Sequence, residues 1–219
     1  MKKQENLKIK ETFTLAYQNH KNKNYKKAEE LYKKILKIRP NHFDAIFLLG
    51  SLSFEINNFK KAKDYYEKAM KIKPNEPNAL YNLGVVSVEL GEDQKAISYY
   101  EKAIVIRSNH TNTHNNLGIV FMKLGEFNKA IGCYKKAIEI EPNHADTHNN
   151  LGLAHQQLGE LQKAKVYYEQ ALVLDPNKEK FNANYGELLL SLNQHKKGLE
   201  YVNKGSGCID FTQQNFKII

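Results

Sequence analysis

The stretch Asn143–Pro176, NHADTHNNLGLAHQQLGELQKAKVYYEQALVLDP, decides the fold, because the same pattern recurs upstream and downstream at a fixed step of 34 residues. In register and without insertions, six windows run 9–42, 43–76, 77–110, 111–144, 145–178 and 179–212. Numbering each window from one, place eight reads Ala16, Gly50, Gly84, Gly118, Gly152, Gly186, and place twenty reads Ala28, Ala62, Ala96, Ala130, Ala164, Gly198. Large residues recur beside these small ones. Place seven is Leu15, Leu49, Leu83, Leu117, Leu151, Tyr185; place twenty-four is Tyr32, Tyr66, Tyr100, Tyr134, Tyr168, Val202; place twenty-seven is Ile35, Ala69, Ala103, Ala137, Ala171, Gly205. Small beside large is what interdigitating helices require. Pro40, Pro74, Pro142 and Pro176 close four windows, and Ser108 and Asp210 replace them in the other two; each proline stops a helix and resets the chain. The spacing therefore predicts one helix over the first fourteen or so places and a second over places sixteen to about twenty-nine. Between them stand Leu90-Gly91-Glu92, Leu124-Gly125-Glu126 and Leu158-Gly159-Glu160, where glycine takes the left-handed conformation that ends a helix at little steric cost. Asn57 and Asn193 hold the same place and tolerate that conformation.

A period of 34 residues with Leu-Gly at places seven and eight, Ala at twenty, Tyr at twenty-four, Ala at twenty-seven and Pro at thirty-two resembles the tetratricopeptide repeat. The resemblance covers about 204 of the 219 residues and is weakest in the last window. It implies an all-α fold: a right-handed α-solenoid, or superhelix, of six helix-turn-helix repeats after an N-terminal segment, 1–8. Place four, usually Trp, Tyr or Leu in the family, is Thr12, Ile46, Leu80, His114, His148, Asn182, so that pocket is more polar in the later repeats. Gly205-Ser206-Gly207 is expected to break the last helix early, which leaves 205–219 as a non-helical apolar tail with Ile209, Phe211, Phe216, Ile218 and Ile219. Such a tail either folds back over the last repeat or leads into a further domain, and it offers a surface for self-association.

The net charge of +9 is uneven: residues 1–74 hold 18 Lys/Arg against 8 Asp/Glu, and residues 75–219 hold 15 against 16. Most of these lysines fall on second helices with Glu at helical spacing, as Glu29 with Lys33 and Glu30 with Lys34, which is the chemistry of a solvated face. Nucleic acid is therefore an unlikely partner, although a basic stretch attracts polyanions in general. MKKQENLKIKET contains no apolar run, and no segment approaches the roughly 20 apolar residues of a membrane span. With Cys133 and Cys208 alone and 75 positions apart, no disulfide framework is expected, and the reading is a cytoplasmic protein. His110 with His114, and His144 with His148, have a chelating i, i+4 spacing, but the repeat explains the duplication and no metal is expected. No glycine-rich phosphate loop, activated nucleophile or paired carboxylates stand out, so neither a cofactor nor an enzymatic activity is expected.

In tetratricopeptide superhelices the first helices line the concave wall, with places two, five, six, nine, twelve and thirteen facing the groove; helical spacing independently puts two, six, nine and thirteen on one stripe. Place six is Thr14, Leu48, Asn82, Asn116, Asn150, Asn184. Four successive asparagines, each with one carbonyl acceptor and two amide donors, can hold an extended peptide by its backbone. The arrangement is similar to the asparagine ladder in the repeat region of O-linked N-acetylglucosamine transferase. Asn78, Asn112, Asn115, Asn149 and Tyr81 would widen the polar floor, while Phe13, Phe47 and Tyr81 at place five give the earlier repeats an aromatic wall. The competing reading is that these asparagines only satisfy neighbouring helix groups and that the aromatics pack between helices. Place two (Lys10, Asp44, Asn78, Asn112, Asp146, Lys180) lacks the pattern of a carboxylate clamp, which argues against capture of chaperone C-termini. The expected function is a non-enzymatic scaffold that binds an extended peptide or partner protein in its concave groove. The alternatives are a substrate-recruiting or assembly module of an enzyme, such as a glycosyltransferase, and a low-specificity nucleic-acid binder using the basic repeats.

Overall fold

The computed structural model describes residues 2–206, which form twelve α-helices in two compact units that divide after Ser108. The first unit holds α1 (Lys2–Lys21), α2 (Tyr25–Ile38), α3 (Phe43–Glu55), α4 (Phe59–Ile72), α5 (Pro77–Glu89) and α6 (Asp93–Ile106). The second holds α7 (Thr111–Lys123), α8 (Phe127–Ile140), α9 (Ala145–Gln157), α10 (Leu161–Leu174), α11 (Glu179–Ser191) and α12 (His195–Ser206). Each unit is a short α-solenoid of three antiparallel pairs, in which every pair also packs its second helix on the first helix of the next. In the second unit α9 also touches both α7 and α11, so first helices lie side by side and form a wall of their own.

The turn inside every pair is the same object. Its key residue has a positive φ in all six: Lys23 (59°), Asn57 (58°), Gly91 (73°), Gly125 (74°), Gly159 (73°) and Asn193 (60°). Two back-bonds close it, as Asn57 N–H to the Phe54 carbonyl and Asn58 N–H to the Ser53 carbonyl, each 2.8 Å, which satisfies orphan carbonyls at the helix end. Lys23 is the member that sequence reasoning missed, because lysine carries no preference for this conformation. Where loop meets first helix, His42 and His144 act as caps, their Nδ1 accepting from Ala45 N–H and Thr147 N–H at 3.3 Å.

In the second to fifth pairs the core forms where a place-eight glycine meets a place-twenty-four tyrosine. A Cβ built on Gly84 would lie 2.4 Å from Cε1 of Tyr100, and one on Gly50, Gly118 or Gly152 would lie 2.7, 2.5 or 2.8 Å from the ring of Tyr66, Tyr134 or Tyr168. All four tyrosines are buried, and burial raises the pKa of Tyr66, Tyr134 and Tyr168, to about 12 for Tyr66.

From Lys2 the N-terminal segment is helical and runs straight into the first repeat, where Ile9 is buried, and Arg39 donates to Asn6 Oδ1 at 2.6 Å. One sequence expectation needs correction. The last helix does not stop ahead of Gly205, since α12 continues through Ser206. Gly205 serves close approach instead of termination, because a Cβ there would lie 2.3 Å from the Ala183 nitrogen and 2.5 Å from the Glu179 carbonyl oxygen of α11. The remaining tail, 207–219, lies outside the described residues.

Candidate functional site

In the second unit, Asn116 of α7, Asn150 of α9 and Asn184 of α11 share one register position on three adjacent first helices. Their neighbours one place earlier, Asn115 and Asn149, are buried, and these two are what tie the helices together. Asn150 donates through Nδ2 to Asn115 Oδ1 at 3.1 Å, and 34 residues later Asn184 donates through Nδ2 to Asn149 Oδ1 at 2.9 Å. Thr147 adds a second donor to Asn115 Oδ1, through its hydroxyl at 3.1 Å. The Thr147 hydroxyl also sits 2.7 Å from His144 Nδ1, so loop, cap and wall form one polar network. Asn115 completes it with an amide 3.5 Å from Asn116 Oδ1.

The chemistry is that of a diagonal amide stack. Each buried carbonyl receives the donors that burial would otherwise leave unsatisfied. With Nδ2 of Asn150 and Asn184 spent on the neighbouring repeat, each has its Oδ1 left without a partner among the described residues. The two place-six amides are thereby fixed in orientation and present acceptors. Asn112 is exposed on the first turn of α7, outside the network.

The first unit handles the same places differently. Place five is aromatic there: Phe47 packs on Tyr66 (5.4 Å between centroids) and stacks on Phe43 (5.8 Å), and Tyr81 packs on Tyr100 at 6.0 Å. No carboxamide stands at place five to receive Asn82, and the Tyr66 hydroxyl donates instead to Ser51 Oγ at 3.1 Å. Asn78 is exposed and accepts from Arg107 Nη1 at 3.0 Å. Of the ten residues named from sequence, Asn115, Asn116 and Asn150 share one set of hydrogen bonds and Asn149 and Asn184 repeat the same pairing one repeat on, Asn112 stands exposed beside them, and Asn82, Asn78, Tyr81 and Phe47 lie in the other unit with separate partners.

Sequence reasoning missed Thr147, His144 and the diagonal pairing. A signal for it was present: place three turns from Ala45 and Ala79 to Thr113 and Thr147 in the repeats where place five turns to asparagine. It also missed the ion pair of Lys178 with Asp146, 2.8 Å to each carboxylate oxygen, which joins the first turn of α9 to the N-cap of α11. Among the lysines of the first unit, Lys61 and Lys33 converge on Glu29 at 2.5 and 2.9 Å, and Lys63 and Lys95 on Glu92 at 2.5 and 3.3 Å. Each carboxyl is held below the usual range, Glu29 by Lys61 and then Lys33, Glu92 by Lys63 and then Lys95. Among the described residues, no three His, Cys, Asp or Glu side chains are grouped to hold a metal ion, and no helix is long and apolar enough to cross a membrane.

Three family models match parts of the chain: "TPR repeat" over 120–159, "Tetratricopeptide repeat" over 145–178, and "Anaphase-promoting complex, cyclosome, subunit 3" over 21–103. No curated protein sequence matches it. Among solved structures, MamA is 27% identical with a TM-score of 0.70, over 74% of this chain and 94% of that one. PilW, described as a widely conserved type IV pilus biogenesis factor, is 18% identical with a TM-score of 0.82, over 94% and 95% of the two chains. YrrB, described as a TPR protein with an unusual peptide-binding site, is 22% identical with a TM-score of 0.67, over 84% and 90%.

Proposed function

The chain is a tetratricopeptide repeat protein, a protein-interaction scaffold by its fold, and on that premise we propose that it binds an extended peptide segment of a partner along the wall of first helices in its second unit. Asn116, Asn150 and Asn184 contact the peptide backbone, and Asn112 extends the floor. Asn115, Asn149 and Thr147 hold those amides in place from behind. The role is binding without catalysis, and the cytoplasm is the compartment that suits it.

One observation carries this reading: the Asn150–Asn115 and Asn184–Asn149 hydrogen bonds repeat the same geometry one repeat apart. An extended strand also repeats its backbone groups regularly, and acceptors held in fixed orientation select backbone N–H donors regardless of side chain. Preorganised acceptors also lower the ordering cost of binding. In the first unit, Asn82, Tyr81, Phe47 and Asn78 form a second and more apolar stretch of the same kind of wall, suited to side chains.

The test compares co-purification of partners from native extract by the parent protein and by the variant Asn116→Ala/Asn150→Ala/Asn184→Ala. The proposal expects a partner present with the parent and lost with the variant, while the circular dichroism spectrum of the variant stays helical. Retention of the same partner by a folded variant would sink it and assign the asparagines a purely structural role.

A further inference from the structure

A different surface, on α1, has the form of half an inter-repeat interface. Leu15 is 48% exposed, whereas Leu49, Leu83, Leu117 and Leu151, which hold the same place in the next four repeats, are 0, 1, 5 and 0% exposed. What covers such a leucine is visible at Leu49, which shares one apolar cluster with Leu31, Tyr32 and Ile35 of α2, the second helix packed against it. Leu7, on the same face of α1, is 56% exposed. Leu7, Lys10, Glu11, Thr14, Leu15 and Gln18 line an open groove of about 380 Å³ there. An apolar stripe of this kind on a helix face is the half of a helix–helix contact that burial would complete.

We propose that this face of α1 is a docking site for an acidic amphipathic helix of a partner protein, seated as a second repeat helix sits on the first helix that follows it. The shape of the occupant follows from the repeat. Leu31, Tyr32 and Ile35 show that the covering element is a helix with large apolar side chains at adjacent positions and one turn on. Its charge follows from the surroundings. Lys3, Lys8, Lys10 and Lys21 of α1 outnumber Glu5 and Glu11, and none of these lysines is ion-paired among the described residues. A second copy is the poorer occupant, because the last second helix, α12, carries Lys196, Lys197 and Lys204 against Glu200 and would set like charge on like.

The probe is a synthetic helix with the sequence of residues 25–38 in which Lys26, Lys27, Lys33, Lys34 and Lys37 are each replaced by glutamate, stapled on its outer face and labelled for fluorescence anisotropy. Its control keeps the lysines. The acidic probe should bind the full chain at least about tenfold more tightly than the control, and more weakly as salt rises. Leu15→Glu and Leu7→Glu should each weaken it by about tenfold or more, since each removes a leucine from the contact and adds a like charge. Lys10→Glu should weaken it less. Because Leu7 and Leu15 are exposed, the variants should melt with the parent. The proposal is overturned if the acidic probe does not bind, if both probes bind equally, or if Leu7→Glu and Leu15→Glu leave binding unchanged. It is also overturned if light scattering finds a dimer of the parent that Leu15→Glu dissociates, which would give the face to a second copy.

Discussion

Changing Gly84 to alanine sets two effects of opposite sign against each other. Alanine is favoured over glycine inside a helix by about 1 kcal/mol. Against that gain, the new Cβ would stand 2.4, 2.6 and 2.8 Å from Cε1, Cδ1 and Cζ of Tyr100. That ring is 1% exposed and packed against Tyr81, so it cannot swing away without moving its neighbours. Overpacking of a filled core costs about 1–3 kcal/mol, and three atoms crowded at once belong at the upper end of that range. The net expectation for Gly84→Ala is a loss of about 1–2 kcal/mol, which for a chain of this size lowers the melting temperature by roughly 2–8 °C. The first repeat supplies an internal control, since Ala16 holds the same place and is fully buried. There the reverse change, Ala16→Gly, forfeits helix propensity and leaves a small void, so it should also destabilise, by about 1 kcal/mol. Both are measured by urea unfolding followed by circular dichroism, with the first transition read separately because repeat arrays can unfold in parts. A double variant with Tyr100→Leu should recover part of the Gly84→Ala loss through a favourable coupling term. If Gly84→Ala proves as stable as the parent or more so, the close approach of these two helices does not constrain the repeat, and the reasoning fails.

Asn115→Ala removes the acceptor shared by Thr147 and Asn150 and should cost about 1–3 kcal/mol. Its coupling with Asn150→Ala in a double-mutant cycle measures the diagonal hydrogen bond, and additive effects would count against it. Lys23→Gly should stabilise by about 0.5–1 kcal/mol, because relief of left-handed crowding exceeds the entropy glycine gains on unfolding; thermal melts read it directly. Glu29 titrates below its unfolded value because of Lys61 and then Lys33, so the unfolded chain takes up that proton first as pH falls. The contribution of Glu29 is therefore complete above about pH 5 and is lost on acidification through about pH 4 and below. Urea midpoints of the parent and Glu29→Gln should differ at neutral pH and converge under acid.

Period and packing were legible because both are written in residue size. Small residues at places eight and twenty, large ones at seven and twenty-four, and a turn residue at fifteen recur often enough that no single departure hides them. The turn at Lys23 shows the limit: its conformation is imposed by the helices on either side, and nothing in a lysine side chain announces it. Gly205 misled for a related reason. A glycine near the end of a helix reads as a stop, but here the backbone of α11 comes so close that no side chain fits, and the helix continues past it. The site was half legible. The column of asparagines is visible in one dimension, whereas the partner of each amide lies 35 residues away and one place off in register. Periodicity aligns identical places, so it cannot reveal a bond that runs diagonally between different ones.

That diagonal explains why the two units differ in more than composition. In the first unit the place-five residue is a ring, which packs on the tyrosine of its own pair and leaves the wall apolar. In the first two repeats of the second unit it is a buried carboxamide, Asn115 or Asn149, which must be satisfied and so recruits the next repeat's asparagine. A ring tolerates small rotations between repeats, because dispersion falls off gradually with distance and has no direction. A hydrogen bond loses most of its strength within a few tenths of an ångström and beyond modest angles. The asparagine repeats are accordingly held in a narrower range of relative orientations than the aromatic ones. On the function proposed above, a partner met by the second unit encounters acceptors at fixed intervals and is selected by its backbone, while one met by the first unit encounters an apolar wall that can adjust and is selected by its side chains.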